Sequence, residues 1–242
     1  MRRAISILLL LALILGVTAC GANTPNAATP SKATASGTEK TAPNAAPSAA
    51  EPAPSAATGS GKTLVTYFSM PETTDPNNMT EEEENSAVVI DGEVLGNTQY
   101  MAQVIAQTTG ADIFRIEPET PYPTNHSTLV EQASAEQAAN ARPAIKNQIA
   151  DFNAYDTVFI GYPIWWSDMP MLLYSLFDAY DFSGKTIVPF GTHGGSGFAG
   201  TPAKMWELEP NATMRDGLTI SRDNIQKAEA EIVNWVEGLD IS

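Results

Sequence analysis

Thr157-Val-Phe-Ile-Gly-Tyr-Pro-Ile-Trp-Trp-Ser-Asp-Met-Pro170 is the stretch whose reading decides the fold. Its first five residues, Thr157 to Gly161, are a β-branched and aromatic run of strand length. A loop follows, held between prolines, and then Met171 to Tyr180 reads as a helix. Working outward, the same alternation repeats. Thr63 to Ser69 reads as a strand, and Thr98 to Thr109 as a helix stopped at Gly110. Ala111 to Glu117 is a second strand, followed by a helix over Ser127 to Asn140 with Leu129, Val130 and Ala133 on one face. Thr186 to Gly191 is the fourth strand, a helix lies near Pro202 to Leu208, and Thr213 to Ile220 is a further strand. Ser221 caps a last helix over 222–238, with Ile225, Ala228, Ile232 and Trp235 facing inward. Strand-then-helix repetition predicts an α/β fold, a parallel sheet with helices on both faces. Such sheets bind ligands beyond the carboxyl ends of their strands, so the loops after the first, third and fourth strands carry the search for a site.

In the first loop Ser69 is followed, after a long gap, by Gly96-Asn97-Thr98 at the start of a helix. Small and hydroxyl residues there offer backbone N–H groups to an anion, or simply cap the helix. In the second loop Trp165 and Trp166 either stack on a flat ring or pack against the following helix. In the third, Thr192-His193-Gly194-Gly195-Ser196-Gly197 lets backbone approach a ligand closely. His193 there is a candidate for hydrogen bonding to a heterocycle or for proton transfer, or is a solvated loop histidine.

Together, Val65 to Ser69, Gly96-Asn97-Thr98, Gly161-Tyr162-Pro163-Ile164-Trp165-Trp166 and Thr192 to Gly197 resemble the flavodoxin-like family of FMN proteins. The resemblance implies a doubly wound five-stranded parallel sheet in the order 2-1-3-4-5. It implies FMN as cofactor, with the phosphate on Ser69, Gly96, Asn97 and Thr98. The isoalloxazine would lie between Pro163, Ile164, Trp165 and Trp166 on one side and Thr192, His193, Gly194 and Gly195 on the other. One departure is large: 26 residues, Met70 to Leu95, separate Ser69 from Gly96, where the family keeps these pieces together. Ala87 to Ile90 and Glu93 to Leu95 flank Asp91-Gly92, a hairpin signal that would bring the chain back. Glu81 to Glu84 in the same insertion reads as a solvated face rather than a metal site.

The ends of the chain carry different information. Arg2-Arg3, an apolar run from Ala4 to Val17, and Val17-Thr-Ala-Cys20 have the shape of a secretory leader. The last four residues resemble a bacterial lipobox, which implies cleavage before Cys20 and lipidation of its sulfur. Residues 21–61 hold 34 Ala, Thr, Pro, Ser or Gly among 41, with nothing to bury, and read as a disordered tether. The domain, residues 62–242, carries nine basic and 26 acidic side chains, a net charge of −17. That excess argues against nucleic acid, whose phosphates are met with Lys and Arg, and favours a basic redox partner or a donor in the membrane.

Three functions remain open on the sequence. An extracytoplasmic electron carrier held on the cell membrane is the leading one. An FMN-dependent reductase of quinones or similar small acceptors is the second, and a flavin-free binding module on the same fold is the third. Colour in the purified protein separates the third from the others, and sustained turnover of NADH with a quinone separates the second from the first. For the anchor, Cys20→Ala is expected to release the protein from membranes or leave its leader uncleaved. Membrane fractionation checks this, and retention with normal processing would count against lipidation.

Overall fold

From Leu64 onward the first strand buries every residue through Tyr67, as a strand covered on both faces of a parallel sheet must. The computed structural model describes residues 61–241. The leader, Cys20 and the tether through residue 60 lie outside the described residues. Along the chain the elements are β1 (Lys62–Tyr67), α1 (Glu81–Glu84), β2 (Ala87–Ile90), β3 (Glu93–Gly96), α2 (Asn97–Thr109), β4 (Asp112–Arg115) and α3 (His126–Ala138). They continue as β5 (Tyr155–Pro163), α4 (Met171–Ala179), β6 (Thr186–His193), α5 (Thr201–Leu208), β7 (Thr213–Met214), β8 (Leu218–Ser221) and α6 (Glu229–Glu237).

β4, β1, β5 and β6 pair in that order, all parallel, with β7 and β8 both parallel to the outer side of β6. Counting β7 and β8 as one interrupted fifth strand, this is the expected order 2-1-3-4-5. The interruption itself was not expected. Pro189, in β6, has no N–H to donate, and its carbonyl lies beside Gly217. In a strand a residue's N–H and C=O point to the same side, so the missing donor faces the fifth strand at that level. Arg215 still donates its N–H to Ile187 O; residues 216 and 217 then leave the ladder, and pairing resumes at Phe190↔Leu218.

Alternating side chains give the sheet two cores. Leu64, Val158, Ile160, Tyr162 and Ile187 face Leu129, Leu172 and Leu176 of α3 and α4. Val65, Phe159, Val188 and Phe190 face Met101, Ile105 and Ile232 of α2 and α6. The final helix differs from expectation. Ser221 caps a 3-10 turn, Arg222–Lys227, and only then does α6 begin. Ile225 and Ala228 are both buried, and the tighter turn stacks residues three apart on one side.

Gly161 sits near the end of β5 where the ring of Phe190 crosses it, so that any Cβ would meet the ring atoms. Both residues lie in the sheet centre, in register with each other. Gly161→Ala is therefore expected to destabilise the domain by about 1–3 kcal/mol, the usual cost of an overpacked core. A urea midpoint shifted down at unchanged slope checks it.

Candidate ligand-binding site

A cleft of about 240 Å³ opens where β1, β5 and β6 end. Its first wall depends on the insertion 70–95. Asp91-Gly92, both with positive φ, turn the hairpin, and β2–β3 pairing in the register Ala87↔Gly96 returns the chain. Gly96 then lies against Ser69 so closely that a Cβ would overlap the Ser69 hydroxyl. The two halves of the first loop meet in spite of the insertion.

The insertion also consumes donors. The Asn97 N–H donates to Ser86 O at 3.0 Å, and Asn97 Nδ2 donates to Asn85 O at 3.0 Å. Gly96 N–H is taken by the Gln99 side chain. Of the four N–H groups that a helix start leaves free, those of Thr98 and Gln99 remain. Two hydroxyls add to them. Ser69 Oγ has no protein partner among the described residues, although Ser69 is buried. Thr98 Oγ1 and Thr192 Oγ1 share one bond of 2.9 Å across the cleft floor, which uses one of their two protons and leaves the other. Asn97 Oδ1 is buried with no partner.

The tryptophans divide. Trp165 packs onto the core, edge-on to Phe68 and to Tyr122, each at 5.4 Å between centroids. Trp166 is 55% exposed and donates its indole N–H to Val130 O of α3 at 3.0 Å. The turn that carries them is held by its own backbone. Trp166 and Ser167 both adopt positive φ, uncommon for residues with side chains, and Trp165 and Asp168 close the turn with paired backbone bonds of 2.9 Å. Buried Asp168 holds it from below by accepting from Met169 N–H, Tyr174 OH and Lys204 Nζ.

In the third loop His193 Nδ1 accepts the Gly195 N–H at 2.8 Å. This fixes a neutral tautomer with the proton on Nε2. Burial pushes the His193 pKa down, against the pull of Asp223. Ser69, Asn97, Thr98, Pro163, Ile164, Trp165, Trp166, Thr192, His193 and Gly194 all line the cleft. Gly96 and Gly195 stand behind it, shaping the backbone that does.

Other lining residues gave no clear signal in the sequence. In the first loop the sequence offers only neutral donors, Ser69 and Gly96-Asn97-Thr98. Arg222 adds a charged donor to the cleft: it lines it, with Nη1 only 3.2 Å from where a Gly194 side chain would begin. β8 carries this sequence-distant arginine back beside the third loop. Arg115 donates to Ser69 O at 3.1 Å and so stiffens the first loop. Met70, Leu129, Val130 and Ala133 make an apolar wall. The spacing of the last three marked a buried helix face but not a site. Glu72, in the insertion, places its carboxylate 2.9 and 3.2 Å from His126 Nδ1. Burial raises the Glu72 pKa, and the His126 hydrogen bond draws it back. Hydroxyls and helix-start N–H groups at one end, aromatic and apolar surface at the other, and one arginine beside the third loop fit a flat conjugated ring with an anionic tail.

A family model described as flavodoxin matches residues 86–239. A Bacteroides eggerthii protein described provisionally as a flavoprotein is 26% identical, with a TM-score of 0.58 over 75% of this chain and 99% of that one. A similar provisional flavoprotein from Bacteroides uniformis is 25% identical, with a TM-score of 0.53 over 69% of this chain and 96% of that one. The flavoprotein of Lactobacillus acidophilus, solved in complex with FMN, is 18% identical, with a TM-score of 0.50 over 69% of this chain and 97% of that one. That last likeness is one of fold. No curated protein matches the chain.

The lowered pKa of His193 has a consequence with a definite sign. The folded state favours the neutral ring, and the unfolded chain takes up its proton first, near the ordinary imidazole value of about 6.5. The associated stability is complete above that pH and is lost as pH falls toward the lower folded value. Urea melts of His193→Gln are expected to lose less stability than the parent between about pH 7 and 5. An unchanged acid-side slope would show that His193 contributes nothing to it.

Proposed function

Because the chain belongs to the flavodoxin family, we propose that its cleft binds FMN and that the protein passes electrons through it. The observation that carries this is the two-ended cleft, anion donors at the start of α2 and aromatic surface at the second loop, at the carboxyl ends of three parallel strands. The FMN complex of the Lactobacillus protein supports the choice of ligand. FMN, when bound, supplies the electron-accepting and electron-donating chemistry. This chain's residues bind and orient. The Ser69 hydroxyl, the free hydroxyl proton of the Thr98–Thr192 pair, the Thr98 and Gln99 N–H groups and Arg222 would hold the phosphate. Ile164, Trp165 and Trp166 would exclude water from the ring, and the Thr192–Gly194 backbone would border it.

In this reading the protein works outside the cytoplasm, tethered to the membrane through Cys20. The leader and its lipobox-like end support that location. The domain's charge of −17 supports an electron partner with a basic face, which opposite charge would steer. α1 adds to that field: four successive glutamates on one turn, closed by a capping box between Thr80 and Glu83. A reductase of small acceptors is the second reading, and the Glu72–His126 pair in the cleft wall favours it. A flavin-free module would leave both ends of the cleft without a purpose.

An absorbance spectrum of the purified chain tests the cofactor, since flavin colour is expected and its absence after FMN addition would defeat the reading. The phosphate end has its own test. Ser69→Ala removes a hydroxyl with no protein partner, so the fold should be unchanged. FMN affinity is expected to fall by about 1.5–3 kcal/mol, the range for a hydrogen bond to a charged group, and riboflavin affinity to stay as it was. Equal loss for both ligands would move the phosphate elsewhere.

A further inference from the structure

Glu72 and His126 line the cleft, yet nothing in holding a phosphate-bearing ring requires them. Glu72 comes from the insertion and is buried, with its side chain 5% exposed. Its backbone N–H donates to Ser86 Oγ at 3.0 Å, which fixes the segment. His126 is the first residue of α3, after the Asn125 cap, and its side chain is one-third exposed. Glu82 and Glu83 of α1 are the charged groups that bear on Glu72 besides His126, and both are acidic. Among the described residues no lysine or arginine forms an ion pair with Glu72. Its charge is met by the imidazole alone.

A carboxylate on Nδ1 fixes that nitrogen as the one bearing a proton and leaves Nε2 as the working nitrogen. This is the arrangement that orients a general acid–base imidazole. On the same helix Leu129 and Val130, and beside it Met70, give the cleft an apolar wall next to the imidazole. Apolar surface beside an oriented imidazole suits a flat neutral molecule bearing a carbonyl.

We infer that the Glu72–His126 pair is the proton donor of the cleft, and that the electron acceptor is a small carbonyl compound of the quinone class. The inference rests on the FMN reading above. In the step, the Nε2–H bond of the protonated ring breaks as an O–H bond forms on the acceptor. Two electrons and one proton would come from the reduced cofactor, which would thereby be oxidised, and the His126 proton would complete the reduction, any further proton the cofactor releases going to solvent. His126 is left neutral with Nδ1–H still donated to Glu72, and it regains its Nε2 proton from solvent. Glu72 stays ionised throughout and acts as a positioning residue.

The test compares acceptors. The full chain, loaded with FMN and reduced anaerobically with dithionite, is mixed with a naphthoquinone or with ferricyanide, which takes an electron and no proton. His126→Gln is expected to slow oxidation by the quinone about 100-fold or more, as loss of a general acid does, and to leave the ferricyanide rate within about twofold of the parent. Equal slowing with both acceptors, or with neither, overturns the inference. Should His126→Gln not fold, Glu72→Gln serves in the same comparison with the same two outcomes. Imidazole ¹⁵N spectra give a reading independent of turnover. The neutral His126 ring is expected to carry its proton on Nδ1 in the parent and to shift toward the Nε2–H tautomer in Glu72→Gln. A parent ring protonated on Nε2 overturns the inference. A colourless chain would defeat the FMN reading itself, and the ¹⁵N spectra of that ligand-free protein would still decide whether Glu72 holds Nδ1–H.

Discussion

Everything at the mouth of this sheet depends on one close approach, Gly96 against Ser69. The chain leaves β1 at Ser69, runs through 26 residues, and has to re-enter at a point with no room for a side chain. The hairpin achieves this because its register is fixed by a two-residue turn and four paired positions. With Gly96 in place α2 begins beside β1, and Thr98 reaches Thr192 across 94 residues of sequence. That hydroxyl pair joins the first loop to the third. Loosening the hairpin would therefore cost the cleft two walls, although the two walls belong to different strands.

The insertion does more than bridge. It satisfies the Asn97 N–H and side-chain amide with the carbonyls of Ser86 and Asn85, so it spends donors that a compact loop would leave for an anion. What remains is two helix-start N–H groups, two hydroxyl protons and Arg222. In a domain of net charge −17 a single guanidinium at the cleft weighs more than it would on a neutral surface. Glu72 shows the other side of the same economy, since the insertion buries it and the first turn of α3 answers it with His126.

Much of the architecture was legible because each strand is a short apolar run followed by a helical period, and because Asp91-Gly92 names its own turn. The loops after β1, β5 and β6 could be singled out from the topology alone. Legibility failed where the determining partner was remote. Nothing around Thr213–Ile220 shows that Pro189, on the neighbouring strand, would withhold a hydrogen bond and split the strand in two. Trp165 and Trp166 look alike in sequence, yet Phe68 and Tyr122 claim one of them for the core. Arg222 and His126 each sit just past a helix cap, where a charged or polar residue has an ordinary local explanation. Only the fold brings them to the cleft.

β1 lies in the middle of the sheet although it comes first in the domain. It pairs with β4 on one side and β5 on the other, Val65 meeting Ile113 and Phe159. Such pairing is non-local and slow to form, so during synthesis β1 waits, unpaired on one edge, until Tyr155–Pro163 has emerged. The sheet then closes around the strand nearest the chain's start. Once closed it grips that strand through two ladders and both cores. A cut at an exposed position between Thr74 and Glu84 would sever the backbone but leave β1 seated. The nicked protein would stay in one piece, and its N-terminal extension would remain attached through hydrogen bonds and packing alone.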